Sequence, residues 1–316
     1  MKNKASVCLL ILLFSLCGCD RNNEISETRF MLDTVATLTA DCSKETLNGA
    51  FSVCSDYEKL LSRTVENSDV YILNQSEGFT EVSEETVKII DRSIYFSKVS
   101  YGKFDITVCP VSQLWDFKNQ VIPSKDEISE ALQNVDYESI EIKGNSVNLN
   151  GKKIDLGSIA KGYIADGLKN YFLENGVTEG IINLGGNVVV FGKEYNVGIK
   201  RPFSGDIIAV LKLEDKSAVT SGIYERYIEN GGKIYHHIID TDTGYGVENE
   251  LASVTVIGNS SFDCDALSTV CMLLGTEKGL EIIESFPDTE AVFLSRDEKI
   301  TLSSGLIQKN NSIYLK

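Results

Sequence analysis

Proline and histidine are scarce in this chain of 316 residues, with 4 and 2 copies, tryptophan occurs once, and basic residues are outnumbered by acidic ones, 30 to 46. The shortage of positive charge excludes most. At a net charge of −16 there is no clustered basic face, which rules out binding nucleic acid or anionic lipid through one. An anionic ligand must then be held by local dipoles or by a metal ion. With so few prolines and 42% hydrophobic residues, the chain can bury the core of one large domain or of two intimately packed lobes.

Long hydrophobic runs are also missing, apart from residues 7–16, which follow Lys2 and Lys4 and are too short to span a bilayer comfortably. This reads as a secretory targeting segment. Leu16-Cys17-Gly18-Cys19 looks like a lipobox, so residues 1–18 are expected to be a lipoprotein signal peptide, Cys19 the lipidated new N-terminus, 19–29 a polar tether and 30–316 the functional domain. A plain cleavable signal is the alternative. The expected location is the cell membrane, lipid-anchored on its extracytoplasmic side. Beyond the signal and Cys19, five of the eight cysteines remain: Cys42, Cys54, Cys109, Cys264 and Cys271. An odd number without paired short spacing describes neither a zinc site nor a disulfide scaffold. They read as buried small hydrophobes, with a Cys42–Cys54 bridge left open.

What the sequence does contain is a succession of short patterned segments. Residues 30–40 alternate as a strand, 43–61 have helical spacing with Ser43 as N-cap, and 84–101 form a second helical pattern closed by Gly102. A short helix over 126–133 and a hairpin around Lys143-Gly144-Asn145 follow. Residues 181–190 read as one strand interrupted by Gly185 and Gly186, where a ligand or a bulge needs backbone room. Strands at 195–199, 207–213, 217–220 and 251–257, with a tight turn at Thr220-Ser221-Gly222, make the second half an antiparallel sheet, and 263–274 is a helix. The class is α+β.

Within this frame the stretch from Ile154 to Tyr163 runs from an apolar, strand-like approach through a Gly-containing turn into a helix ending near Leu173. Backbone N–H groups at such a helix start, with its dipole, suit a phosphate. Asp155 and Lys161 bracket the turn, and Gly157 and Gly162 leave room for a ligand. The turn fits neither the P-loop nor the dinucleotide fingerprint. Asp265 and Thr269, spaced i and i+4, share one helix face and make an oxygen pair suited to Mg²⁺. Both histidines, His236 and His237, sit in one strand-like segment, and a histidine suits proton transfer near neutral pH.

These segments, together with Gly102-Lys103-Phe104-Asp105-Ile106-Thr107-Val108, Asn183-Leu184-Gly185-Gly186-Asn187, Thr220-Ser221-Gly222, His236-His237-Ile238-Ile239-Asp240 and Asp265-Ala266-Leu267-Ser268-Thr269, resemble the ApbE-type FAD:protein FMN transferases in order, from Phe30 to the C-terminus. The resemblance implies an ApbE-like, T-fold-like arrangement of sheet and helix layers. It implies FAD as substrate, contacted by Met31, Thr64, Lys103, Phe104, Asp105, Asp155, Lys161 and Ile239. It also implies Mg²⁺ held by Asp265, Thr269, Ser268 and a backbone oxygen of Ser158, with His237 as the catalytic base and His236 as the second choice. Met31 and Phe104 read equally as core residues. Thr64 stands where the family often has an aromatic ring, and Thr241 and Gly246 stand where prolines are usual, which suggests a looser loop there.

The implied reaction moves FMN from FAD to a threonine of another protein and releases AMP. Exported flavin-bearing subunits of membrane redox complexes are the implied acceptors. An FAD pyrophosphatase giving FMN and AMP, or a non-catalytic flavin-binding lipoprotein, would carry the same motifs.

Overall fold

The computed structural model describes residues 24–316, so Cys19 and the signal segment lie outside the described residues. The chain opens with a hairpin of β1 (Glu24–Met31) and β2 (Thr34–Asp41), followed by helices α1 (Lys44–Leu61) and α2 (Asp69–Leu73). Next come β3 (Thr80–Glu81), α3 (Glu84–Val99), α4 (Cys109–Ser112) and α5 (Lys125–Leu132), then β4 (Glu141–Lys143) and β5 (Ser146–Asn148). After α6 (Ala160–Glu174) the chain is mostly strand: β6 (Gly180–Leu184), β7 (Asn187–Phe191), β8 (Tyr195–Lys200), β9 (Ile207–Leu213), β10 (Ser217–Gly222), β11 (Tyr227–Asn230), β12 (Lys233–His236) and β13 (Leu251–Gly258). Helix α7 (Ser261–Ser285) and strands β14 (Glu290–Ser295), β15 (Ile300–Leu302), β16 (Leu306–Lys309) and β17 (Ser312–Leu315) complete it.

Eight strands form the central sheet in the order β1-β2-β6-β7-β10-β13-β14-β15, every neighbouring pair antiparallel. Period-2 alternation divides its side chains between two cores, because successive residues point to opposite faces. Val189, Val219, Val254, Val256 and Phe293 join the large core that also takes residues of α1, α6 and α7. Val190, Ala218, Ile257 and Val292 face the second sheet, β16-β17-β9-β8, and meet Ile199, Leu211 and Ile313. The result is three layers: helices, central sheet and a smaller sheet. A third cluster gathers around Trp115, with Val111, Ile128, Ile228 and Ile239. Its indole N–H donates to the Gly244 carbonyl at 3.1 Å, so the single tryptophan packs the loop beside the histidines.

Several expectations need correction. Residues 30–40 are not one strand: a turn at Leu32 and Asp33, both at φ 55°, separates β1 from β2. Glu24 to Arg29, read as the end of a tether, are paired with β2 along their whole length. Gly185 and Gly186, at φ 63° and 94°, do not interrupt a strand but turn β6 back into β7. Two left-handed residues make the type I′ hairpin turn that Gly-Gly favours. Thr220-Ser221-Gly222 continues β10 rather than turning, and the approach to α6 is not a strand. Cys54, Cys109, Cys264 and Cys271 are buried, Cys42 is half-buried, and all five are free thiols, so Cys42 and Cys54 are not bridged.

Candidate active site

The turn ahead of α6 is tied down by its neighbours. The Asn74 amide brackets Ile154, accepting from its N–H at 2.7 Å and donating to its carbonyl at 2.9 Å. Asp155 donates its N–H to Ile106, and its carboxylate accepts from Arg63 Nε and from the Gly157 N–H, each at 2.9 Å. Lys161 donates to the Gly157 carbonyl at 3.0 Å. Ile159, at the N-cap position, provides no side-chain cap. The acceptor missing there comes from another helix: Asp265 Oδ2 accepts from the Gly162 N–H at 2.8 Å.

That bond is half of an exchange. Asp166, in the second turn of α6, accepts from the Ser261 N–H at 2.9 Å and the Phe262 N–H at 3.0 Å, the first residues of α7. Each helix therefore caps the other, satisfying donors that have no partner within their own helix. The crossing is close because residue 162 is glycine. A Cβ there would lie 2.2 Å from the Ser261 carbonyl oxygen and 2.8 Å from Asp265 Cβ. Gly162 thus makes room for a helix, not for a ligand as its sequence context suggested. Arg92 from α3 grips Asp263 with two bonds, at 2.8 and 2.7 Å.

Asp265 is buried at 4% exposure, and burial raises its pKa, opposed by the Lys161 cation and the Gly162 N–H. Ser268 and Thr269 follow on the next turn of α7. The Ser221 hydroxyl of β10 lies 2.7 Å from that of Ser268 and 3.3 Å from that of Thr269. Ser268 also donates to the Asp265 carbonyl at 2.9 Å and is fully buried. A buried carboxylate with hydroxyls beside it, next to the turn that contains Ser158, is a set of hard oxygen donors. It fits Mg²⁺ and not the imidazole and thiolate sets that zinc takes. A charge this deeply buried also calls for a positive partner.

The histidines occupy different surroundings. His236 ends β12, is 2% exposed, and places Nε2 3.1 Å from the Val247 carbonyl, while burial lowers its pKa to about 4. His237 lies just beyond β12 and is half-buried, its backbone N–H and Nδ1 both on the Arg226 carbonyl at 3.2 and 3.3 Å and its ring edge-on to Phe117. The protein packed around it, then the Arg226 cation, then His236 lower its pKa to about 3, with a smaller contribution from Lys161. His237 is consequently a neutral base at pH 7, and the Lys161 cation acts on both it and Asp265.

The remaining expected contacts divide. Lys103 is committed to Asp240 and Asp242, at 2.7 and 2.6 Å. With the Asp240–Tyr245 and Gly244–Asp240 backbone bonds at 2.8 Å, it makes residues 240–246 tight, not loose as the missing prolines suggested. Phe104 is core, packed on Phe96, and Ile239 belongs to the Trp115 cluster. Asp105 has both oxygens occupied, by the Thr107 N–H and hydroxyl at 2.7 Å and the Tyr137 N–H at 3.1 Å. The side chains of these three face the protein interior, which leaves them only backbone groups to offer a ligand. Met31 packs half-buried against the large core, and Thr64 is exposed beside Ser62. Sequence reasoning missed Asp166 and Arg226, and it quoted the segments that hold Arg63 and Ser221 without giving either residue a role. Asp166 had a signal, since it follows Gly162 by four residues and shares its helix face.

Comparison with known proteins shows the family and the fold. The ApbE family profile matches residues 31–293. A protein called FAD:protein FMN transferase from Klebsiella pneumoniae (strain 342) is 35% identical over 264 residues, 80% of this chain and 83% of the relative. One of the same name from Treponema pallidum (strain Nichols) is 29% identical over 96% of this chain and 93% of its own length. The crystal structure of the ApbE protein of Thermotoga maritima superposes with a TM-score of 0.81 at 29% identity, covering 89% of this chain and 97% of the other.

Proposed function

The chain belongs to the ApbE family, and from that premise we propose that it transfers FMN from FAD to a threonine of another protein, releasing AMP. The observation that carries the reading is the buried Asp265 carboxylate, fixed on the Gly162 N–H at the start of α6, on the same helix as the Ser268 and Thr269 hydroxyls that meet Ser221. The FAD pyrophosphate lies along the turn from Asp155 to Lys161, where the Lys161 cation and the α6 dipole offset its charge. Asp265, Thr269, Ser268 and the Ser158 carbonyl would hold Mg²⁺, which when bound supplies positive charge to the pyrophosphate.

His237 takes the acceptor hydroxyl's proton on Nε2, the nitrogen that Arg226 leaves free. The hydroxyl oxygen bonds to the phosphorus of the FMN half, and the bond from that phosphorus to the bridging oxygen breaks, so AMP departs with the electron pair. An anionic phosphate near His237 raises its proton affinity toward what a general base needs. Intact-mass measurement of an exported flavin-bearing subunit after incubation with this protein, FAD and Mg²⁺ tests the reading: the acceptor gains one FMN. AMP formed at equal rate with no acceptor modified would instead mean that water is the acceptor.

Leu16 to Cys19 supports lipid anchoring outside the membrane, beside such acceptors. A fatty-acid analogue should label the wild type and not Cys19→Ala, and equal labelling of both would end that part of the reading.

A further inference from the structure

We propose that Arg226 is a positioning residue for the transfer, its carbonyl fixing the tautomer of His237 and its guanidinium anchoring that carbonyl to the β1–β2 turn; the role rests on the flavin-transfer reading above. A carbonyl oxygen only accepts, so the ring nitrogen facing it must carry the hydrogen. For His237 that nitrogen is Nδ1, 3.3 Å from the Arg226 oxygen, which leaves the Nε2 lone pair free. His236 is the reverse, with Nε2 facing the Val247 carbonyl at 3.1 Å. Two adjacent histidines therefore hold opposite tautomers, and the one with its outer nitrogen free is the one that is half-buried.

The anchor reaches a distant part of the chain. Arg226 Nη2 donates to the Asp33 carbonyl at 3.1 Å. That carbonyl belongs to a turn in which Leu32 and Asp33 both stand at φ 55°, a conformation that non-glycine residues adopt rarely and at a cost. Glu58 of α1 holds the same turn from the other side, accepting from the Leu32 N–H at 3.0 Å. Arg226 thus ties the loop before β11, and through it His237, to a turn fixed independently by α1. The charged and titratable groups acting on the His237 ring are Arg226, His236 and, from α6, Lys161. Removing the guanidinium removes one of the two permanent cations, so the imidazolium forms more readily.

The chain has only two histidines, so ¹⁵N ring spectra of the full chain without FAD resolve both, and His237→Ala assigns them. The wild type should show one Nδ1–H and one Nε2–H ring. In Arg226→Met the His237 tautomer should become mixed and its titration midpoint rise by about one pH unit. Transfer should lose about tenfold in kcat at unchanged KM for FAD, with the acid limb of its pH profile moving up by the same interval. Arg226→Lys, which keeps the charge, should leave the midpoint near the wild-type value. Two Nε2–H rings in the wild type, an unmoved midpoint in Arg226→Met, or a raised KM at unchanged kcat would overturn the proposal. Since the ring spectra are read without FAD, their failure removes the positioning claim alone, whereas a wild type inactive in transfer removes the reading beneath it.

Discussion

At the α6–α7 crossing the polar groups are held by backbone donors from the opposite helix: Asp265 by Gly162, Asp166 by Ser261 and Phe262, all at 2.8–3.0 Å and enclosed by close packing. His237, at the other end of the site, hangs from one carbonyl at 3.2–3.3 Å and the edge of one ring. The first arrangement makes the carboxylate part of the fold, because the groups that present it also join the helices. The second separates chemistry from stability. On the proposed function, a carboxylate that holds a cation needs a rigid, preorganised environment, whereas a base that exchanges protons with an incoming acceptor needs access.

The largest effect that can test this contrast is His237→Ala. Transfer should fall by about 10²- to 10⁴-fold while FAD binding and thermal stability stay close to wild type. Undiminished turnover would remove His237 and bring His236 forward, and a large fall in Tm would erase the contrast itself. Asp265→Asn comes next, with a loss of about 100-fold in AMP release that excess Mg²⁺ partly restores by mass action. Its fold should hold, because the amide oxygen can still accept from Gly162. Superimposable Mg²⁺ titrations for variant and wild type, or wild-type activity indifferent to EDTA, would end the metal assignment.

Gly162→Ala should strike fold and chemistry together. The added Cβ would sit 2.2 Å from a backbone oxygen, so one helix must move. The expected cost is about 1–3 kcal/mol, seen as a lower denaturant midpoint, together with a higher Mg²⁺ requirement as Asp265 shifts. An alanine variant of wild-type stability would show that the crossing is less constrained than its distances indicate. Asp166→Asn is the mildest. One carboxylate oxygen becomes a donor facing donors, which should cost about 1 kcal/mol of stability with only a small change in transfer. If transfer fell more steeply than stability, Asp166 would belong to the chemistry rather than to the frame.

The sequence showed the start of α6 and the helix carrying Asp265 and Thr269, because each depends on local periodicity and on short polar signals, whereas the strand-like segment read over both histidines ends at His236. It read through the Leu32–Asp33 turn as one strand, since leucine is not a residue such a turn favours, and contacts from Glu58 and Arg226 add to the β1–β2 ladder that holds it. The Gly185-Gly186 turn was legible but was read as an interruption. Phe104, Asp105 and Ile239 were singled out as FAD contacts. Their side chains proved to face inward because the packing around Phe96, Tyr137 and Trp115 decides orientation, which no short window contains.

By itself, then, the sequence determined the α+β class, the acidic balance of charge and the family. Those follow from composition and from patterns a few residues long. Only the tertiary structure decided that Gly162 makes way for α7, that Asp265 caps a helix other than its own, that Ser221 joins Ser268 and Thr269, and that Arg226 reaches across 193 residues to Asp33. Each is a contact between segments far apart in sequence. Its existence depends on how the layers pack, since a hydrogen bond or a steric limit is set by distances that only the folded chain defines.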